Sequence, residues 1–121
     1  MVFTIAKKKK DFIKISFIDS PSSEDVTGSL IYISTPNHKF LVDAGLYQTN
    51  DRYEDFLVNN RKYKEFKPKE LDYVFITHSH SDHMNLLPKL FKDGCNARVI
   101  ITEGTSEIIK DMMTDCAEIN E

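Results

Sequence analysis

The sequence predicts a mixed α/β fold. Short apolar runs of strand length alternate with longer segments of helical character. Joints such as Thr35-Pro36-Asn37 and Asp93-Gly94 separate them. One apolar run, Leu71 to Thr77, delivers the chain into His78-Ser79-His80-Ser81-Asp82-His83, which holds three of the four histidines. The end of a strand is where a rigid frame commonly presents functional groups.

The elements follow in order. Asp11 to Ile18 alternates, with Phe12, Lys14 and Ser16 opposite Ile13, Ile15 and Phe17, and reads as a first strand. Ser20-Pro21-Ser22-Ser23-Glu24-Asp25 is a loop by composition. Ser29 to Ser34 is a second strand, Thr35 to Lys39 a turn, and Phe40 to Asp43 the returning partner. His38 is therefore a solvent-exposed turn residue and not a ligand. Asp51 to Tyr63 reads as a helix with Tyr53, Phe56 and Leu57 on one face, and Pro68 bars any continuation. Leu71 to Thr77 is the central strand.

Beyond the histidines, Asn85 to Lys92 predicts a short helix with Pro88 in or near its first turn, closed by Asp93-Gly94. Arg98 to Thr102 is the next strand. Thr105 is the expected N-cap of a last helix, on which Ile108, Ile109, Met112, Met113, Cys116 and Ile119 make one apolar stripe. The methionines and Cys116 read as core packing. No internal repeat, linker or second domain boundary is evident.

Neutral imidazoles bind transition metals well, and a neighbouring carboxylate adds charge and a second ligand type. In extended chain, residues two apart point the same way, so His78 and His80 reach one metal from one side. Asp82 and His83 come where the chain turns and face a second. Two metals about 3.5–4 Å apart hold both oxygens of an in-line displacement. Asp82 is also the candidate catalytic carboxylate, placed to orient the attacking water. A polar loop without function and a structural zinc are the competing readings. Structural sites are closed by four ligands and are usually rich in Cys, whereas Cys95 and Cys116 form no CxxC pair.

His78-x-His80-x-Asp82-His83 after an apolar strand ending in Thr77 resembles the signature of the metallo-β-lactamase fold hydrolases. Phe40-Leu41-Val42-Asp43-Ala44-Gly45-Leu46 is similar to the family's earlier strand, which ends in Asp and Gly. Asp43 to Gln48 narrows the resemblance to the β-CASP branch, that of ribonuclease J and the cleavage and polyadenylation endonucleases. Leu86 to Leu90, Val99 to Thr102, Thr105 and Asp115 to Ile119 also follow that branch. The resemblance covers residues 28 to 119.

It implies two zinc ions per complete site, or other divalent metals, with His78 and His80 on one and Asp82 and His83 on the other. It makes Asp43 a residue that orients a ligand histidine, although a strand-end acid also caps turns. Thr77 holds the loop through its hydroxyl, and Gly45 lets the backbone pass close by. The implied activity is metal-dependent hydrolysis of a phosphodiester in RNA processing, with RNA preferred over DNA as partner. An ester, thioester or lactone hydrolase on the same fold is the alternative, as is a non-catalytic half-domain that binds a partner chain.

The chain departs from the branch in places. Asn85 and Thr49 stand where glycines are usual. No histidine follows His83, so the family's third histidine of the first metal site and its final histidine have no counterpart. The β-CASP cap has none either. Residues 1–121 are thus expected to be a partial domain, the N-terminal half of a four-layer αββα sandwich, with its C-terminal half absent. Such a half leaves an apolar sheet face in water. It reads as a fragment inactive alone, as a partner of a C-terminal half, or as a homo-oligomer.

The net charge is −3, with 29% charged and 40% hydrophobic residues, and no apolar run is long enough to span a membrane. Two unpaired cysteines fit a reducing, cytoplasmic setting. Lys7 to Lys10 reads as a solvated turn. Arg61-Lys62-Tyr63-Lys64 with Lys67 and Lys69 is either a solvated face or a stripe for phosphates.

Overall fold

The computed structural model describes residues 2–6, 12–18, 28–109 and 111, with the backbone alone at Val2, Phe3, Ala6, Ser81 and Asp82. Six strands lie in sequence order in one sheet. They are β1 (Val2–Ala6), β2 (Phe12–Phe17), β3 (Ile31–Ser34), β4 (Lys39–Val42), β5 (Tyr73–Phe75) and β6 (Arg98–Ile100). The first four run antiparallel, and β4, β5 and β6 are parallel. Parallel neighbours need crossovers, and these carry α1 (Arg52–Asn59), then α2 (Ser81–Met84) and α3 (Leu87–Lys92). Residues 103–109 are helical again, α4.

One sheet face is the core. Ser16, Tyr32, Leu41 and Val74 stand in register across β2 to β5, none more than 5% exposed. Met84, Leu86, Leu87 and Leu90 cover them from the α2–α3 segment, with Phe66 and Leu71 beside them. The opposite face carries Ile13, Ile15, Phe17, Ile31, Ile33, Phe40, Val42, Phe75 and Ile100. None of these is buried, and Ile13, Phe17 and Ile100 are 40% to 43% exposed. Among the described residues this apolar face is not buried.

Several elements differ from expectation. β1 is a strand that composition did not announce. It pairs with β2 from Val2↔Ser16 to Ala6↔Phe12. α1 stops at Asn59, not Tyr63. Asn60 caps it by donating to the Phe56 carbonyl and the Arg61 N–H donates to that of Val58, while Tyr63 leaves to stack on Phe66, 5.0 Å between ring centroids. The face expected to pack does not: Tyr53, Phe56 and Leu57 are 72%, 62% and 51% exposed, and Val58 alone is buried. Polar ties seat the helix instead. Asn59 exchanges two 2.8 Å hydrogen bonds with the Tyr47 backbone, and Asp55 accepts from Thr49.

The helix expected from Asn85 starts at Leu87 as α3, and a further short helix, α2, lies before it over Ser81–Met84; between them the Leu86 N–H donates to the Ala44 carbonyl. Pro88 does fall in the first turn of α3, and Gly94 closes it at φ 100°. The last helix starts earlier than expected. Thr102, not Thr105, caps it: its hydroxyl oxygen accepts from the Thr105 N–H, and its carbonyl from the Ser106 N–H. Met112, Met113, Cys116 and Ile119 lie outside the described residues, as do Lys7 to Lys10 and the loop at Ser20. His38 is exposed, as expected.

Candidate metal centre

The centre forms where β4 and β5 end. Asp43 leaves β4 at φ 61°, the one non-glycine with positive φ among the described residues. Aspartate tolerates this left-handed conformation better than most side chains. The turn aims a buried carboxylate, 5% exposed, across the ends of both strands. Its N–H still donates to the Phe75 carbonyl, at 2.7 Å. On β5 the backbone N–H of Thr77 leaves the ladder and donates to Asp43 Oδ1, at 2.8 Å. That exchange ends the strand at Phe75, two residues short of the expected end at Thr77.

The Asp43 carboxylate holds more than this amide. Thr77 Oγ1 lies 2.9 Å from both of its oxygens, and His83 Nδ1 lies 2.8 Å from Oδ2. Thr77 has one hydroxyl proton and gives it to the carboxylate. Its oxygen therefore accepts from His78 Nδ1, 2.9 Å away. Both His78 and His83 are thus set as Nδ1–H tautomers, the form in which the ring's lone pair sits on Nε2. Main-chain bonds fix the α2 segment against β4: the Ala44 N–H donates to the His83 carbonyl at 2.7 Å, and the His83 N–H to the His80 carbonyl at 2.9 Å.

The three rings are neighbours. His78 and His83 lie 3.7 Å apart between centroids, His78 and His80 4.8 Å. The sequence reading therefore placed His78, His80, His83, Asp43 and Thr77 in one place. Asp82 lies on α2 beside them, and its side chain is outside the described atoms. Among the described residues no three His, Cys, Asp or Glu converge as a finished metal cage. The donors nonetheless suit a divalent metal: three imidazoles side by side, two of them set as Nδ1–H tautomers.

Sequence reasoning missed the main-chain stitching of Ala44 to His83 and Leu86. Its only signal is the short Asp43-Ala44-Gly45 corner. The two departures are locally accommodated. Asn85 has no positive φ, so its position does not demand glycine. Thr49 donates its N–H and hydroxyl to Asp55 and so anchors α1.

The model of the metallo-beta-lactamase superfamily matches residues 24–117. The chain is 32% identical over 108 residues to the transcription termination factor FttA of Methanocaldococcus jannaschii, covering 89% of this chain and 16% of that protein. It is 31% identical over 98 residues to ribonuclease TTHA0252 of Thermus thermophilus, covering 81% of this chain and 22% of that one. One of these relatives is thus a termination factor and the other a ribonuclease. The solved human tRNase Z, short form, aligns over 88% of this chain and 40% of its own at 18% identity, with a TM-score of 0.48. The chain thus spans about a fifth of the curated relatives' length. With its mixed α/β sheet, its histidine run after β5 and the Asp43 corner after β4, the chain belongs to the metallo-beta-lactamase superfamily, whose members bind divalent metal.

Proposed function

We propose that this chain is the metal-binding portion of a zinc-dependent nuclease that cleaves phosphodiesters in nucleic acid, RNA in preference to DNA. His78 and His80 hold one zinc and Asp82 and His83 a second. The hydrogen-bonded chain from His83 through Asp43 and Thr77 to His78 carries this reading, because it sets two imidazoles as metal-ready tautomers. The ribonuclease and termination-factor relatives point to nucleic acid.

Asp43 keeps the His83 ring from turning, and Thr77 passes the same constraint to His78. Asp82 orients the attacking water and receives its proton. The zinc ions, when bound, supply a lowered water pKa and neutralise charge on the phosphoryl oxygens. The remaining ligands come from another stretch of polypeptide. That stretch also covers the open apolar face of the sheet, as a C-terminal half or a second copy. The buried free thiol of Cys95 accords with a cytoplasmic setting.

The test is metal content per chain with mass by light scattering, then hydrolysis. An assembly that retains zinc is expected to cleave single-stranded RNA in preference to a small chromogenic phosphodiester, and to lose both zinc and cleavage on His80→Ala with Asp82→Ala. Unchanged zinc and cleavage in that variant refute the proposal.

A further inference from the structure

We propose that the outward face of α1 and the basic segment behind it bind a single strand of nucleic acid, apart from the metal centre. The inference rests on the nuclease reading above and adds a second contact to it. Tyr53, Phe56, Leu57 and Asn60 share one face by helical spacing, and the three apolar members are more than half exposed. Such a face is ordinarily core. Here the core has taken only Val58.

The acids of α1 are turned away from this face. Asp55 Oδ1 accepts from the Thr49 N–H and hydroxyl at 2.8 and 2.7 Å. Glu54 Oε1 accepts from the Tyr47 hydroxyl at 3.4 Å, and Asp51 caps the helix. What faces solvent is aromatic and aliphatic, with Arg52 at the start of the helix. The chain then turns directly into a strongly cationic stretch. Residues 60–69 carry five cations and one acid in a chain of net charge −3.

This segment is held on a fixed frame. Tyr63 stacks on Phe66, and Phe66 on the buried Tyr32, at 5.0 and 5.4 Å between centroids. The Arg61 guanidinium and Lys89 Nζ flank the Tyr63 ring at 5.1 and 5.2 Å, and Lys89 donates to the Arg61 carbonyl. Lys62, Lys64 and Lys67 are left exposed, with no ion pair among the described residues. Exposed cations that directly follow exposed aromatic rings in the chain suit a strand that offers both phosphates and open base faces. A duplex offers phosphates only, and an acidic peptide lacks stacking bases.

The experiment is fluorescence anisotropy of labelled oligouridine RNA, the matching DNA strand and a duplex, with the full chain in chelator. Both single strands are expected to bind more tightly than the duplex, unchanged when zinc replaces chelator. Tyr53→Ala with Phe56→Ala is expected to weaken single strands about tenfold or more and the duplex little. Lys62→Ala with Lys64→Ala is expected to flatten the slope of log affinity against log salt by about 1.4. All four positions are exposed, so circular dichroism should show an unchanged fold. Equal binding of duplex and single strands with no effect of the aromatic pair overturns the proposal, and so does no binding. In the latter case the face is open to a protein partner. The nuclease reading is judged separately, by cleavage in the zinc-retaining assembly: strand binding without cleavage sinks that reading alone, and cleavage indifferent to the α1 variants sinks this inference alone.

Discussion

Replacing Asp43 should dismantle the centre in steps that can be measured separately. Three donors end on its buried carboxylate: the Thr77 N–H at 2.8 Å, the Thr77 hydroxyl at 2.9 Å and His83 Nδ1 at 2.8 Å. A hydrogen bond to a charged group contributes about 1.5–3 kcal/mol, and bonds that share one acceptor residue do not add fully. The Thr77 hydroxyl is able to turn to solvent, since Thr77 is exposed. Two donors therefore stay stranded in Asp43→Ala, for an expected loss of about 3–5 kcal/mol in urea unfolding. Alanine also bears the left-handed backbone at φ 61°, which adds about 1 kcal/mol. Asp43→Gly loses the same bonds without that strain and should sit about 1 kcal/mol above Asp43→Ala. Asp43→Asn tolerates the conformation and keeps one acceptor, for a loss of about 1–3 kcal/mol. Freed rotation of His83 should weaken zinc binding by about 10–100-fold in every variant. A loss below about 0.5 kcal/mol in Asp43→Ala would refute the reasoning, because it lies within the range of ordinary surface substitutions.

Three further outcomes follow from particular residues. Asp51→Ala removes the acceptor for the Tyr53 and Glu54 amides and should cost about 1 kcal/mol by thermal unfolding. The open apolar face should drive concentration-dependent association. Ile13→Thr with Phe17→Thr is expected to lower the light-scattering mass without lowering the unfolding midpoint, since both residues are 40% exposed. Burial pushes the Tyr63 phenol above its ordinary 10.0, with Arg61 opposing it. The folded chain then keeps a proton that the unfolded chain gives up. Stability is intact below pH 10.0 and falls as pH rises toward the folded value, and Tyr63→Phe should flatten that fall.

The centre was legible because its residues carry their chemistry in local spacing. His78, His80 and His83 lie within six residues, and Asp43 ends a strand of the same sheet. Helix α1 misled because periodicity reports a face and not what the face meets. Tyr53, Phe56 and Leu57 have core spacing, yet Asn59 and Asp55 decide how the helix sits. The late start of α3 was invisible for a related reason. It depends on the Ala44 carbonyl, more than forty positions away in sequence, capturing the Leu86 amide. β1 was missed because five residues show too little alternation, and its pairing with β2 supplies what propensity lacks.

The central claim is that His78, His80 and His83 form one metal-binding group set by Asp43 and Thr77. Nitrogen-detected long-range NMR of the four imidazoles, recorded during a zinc titration of the full chain, tests it most directly. The exposed His38 serves as an internal control. The account predicts Nδ1–H tautomers for His78 and His83 before zinc, and a shift of Nε2 in the clustered rings as zinc is added, with His38 unmoved. Mixed tautomers at His78 and His83, or a zinc response at His38 equal to that of the cluster, would contradict it.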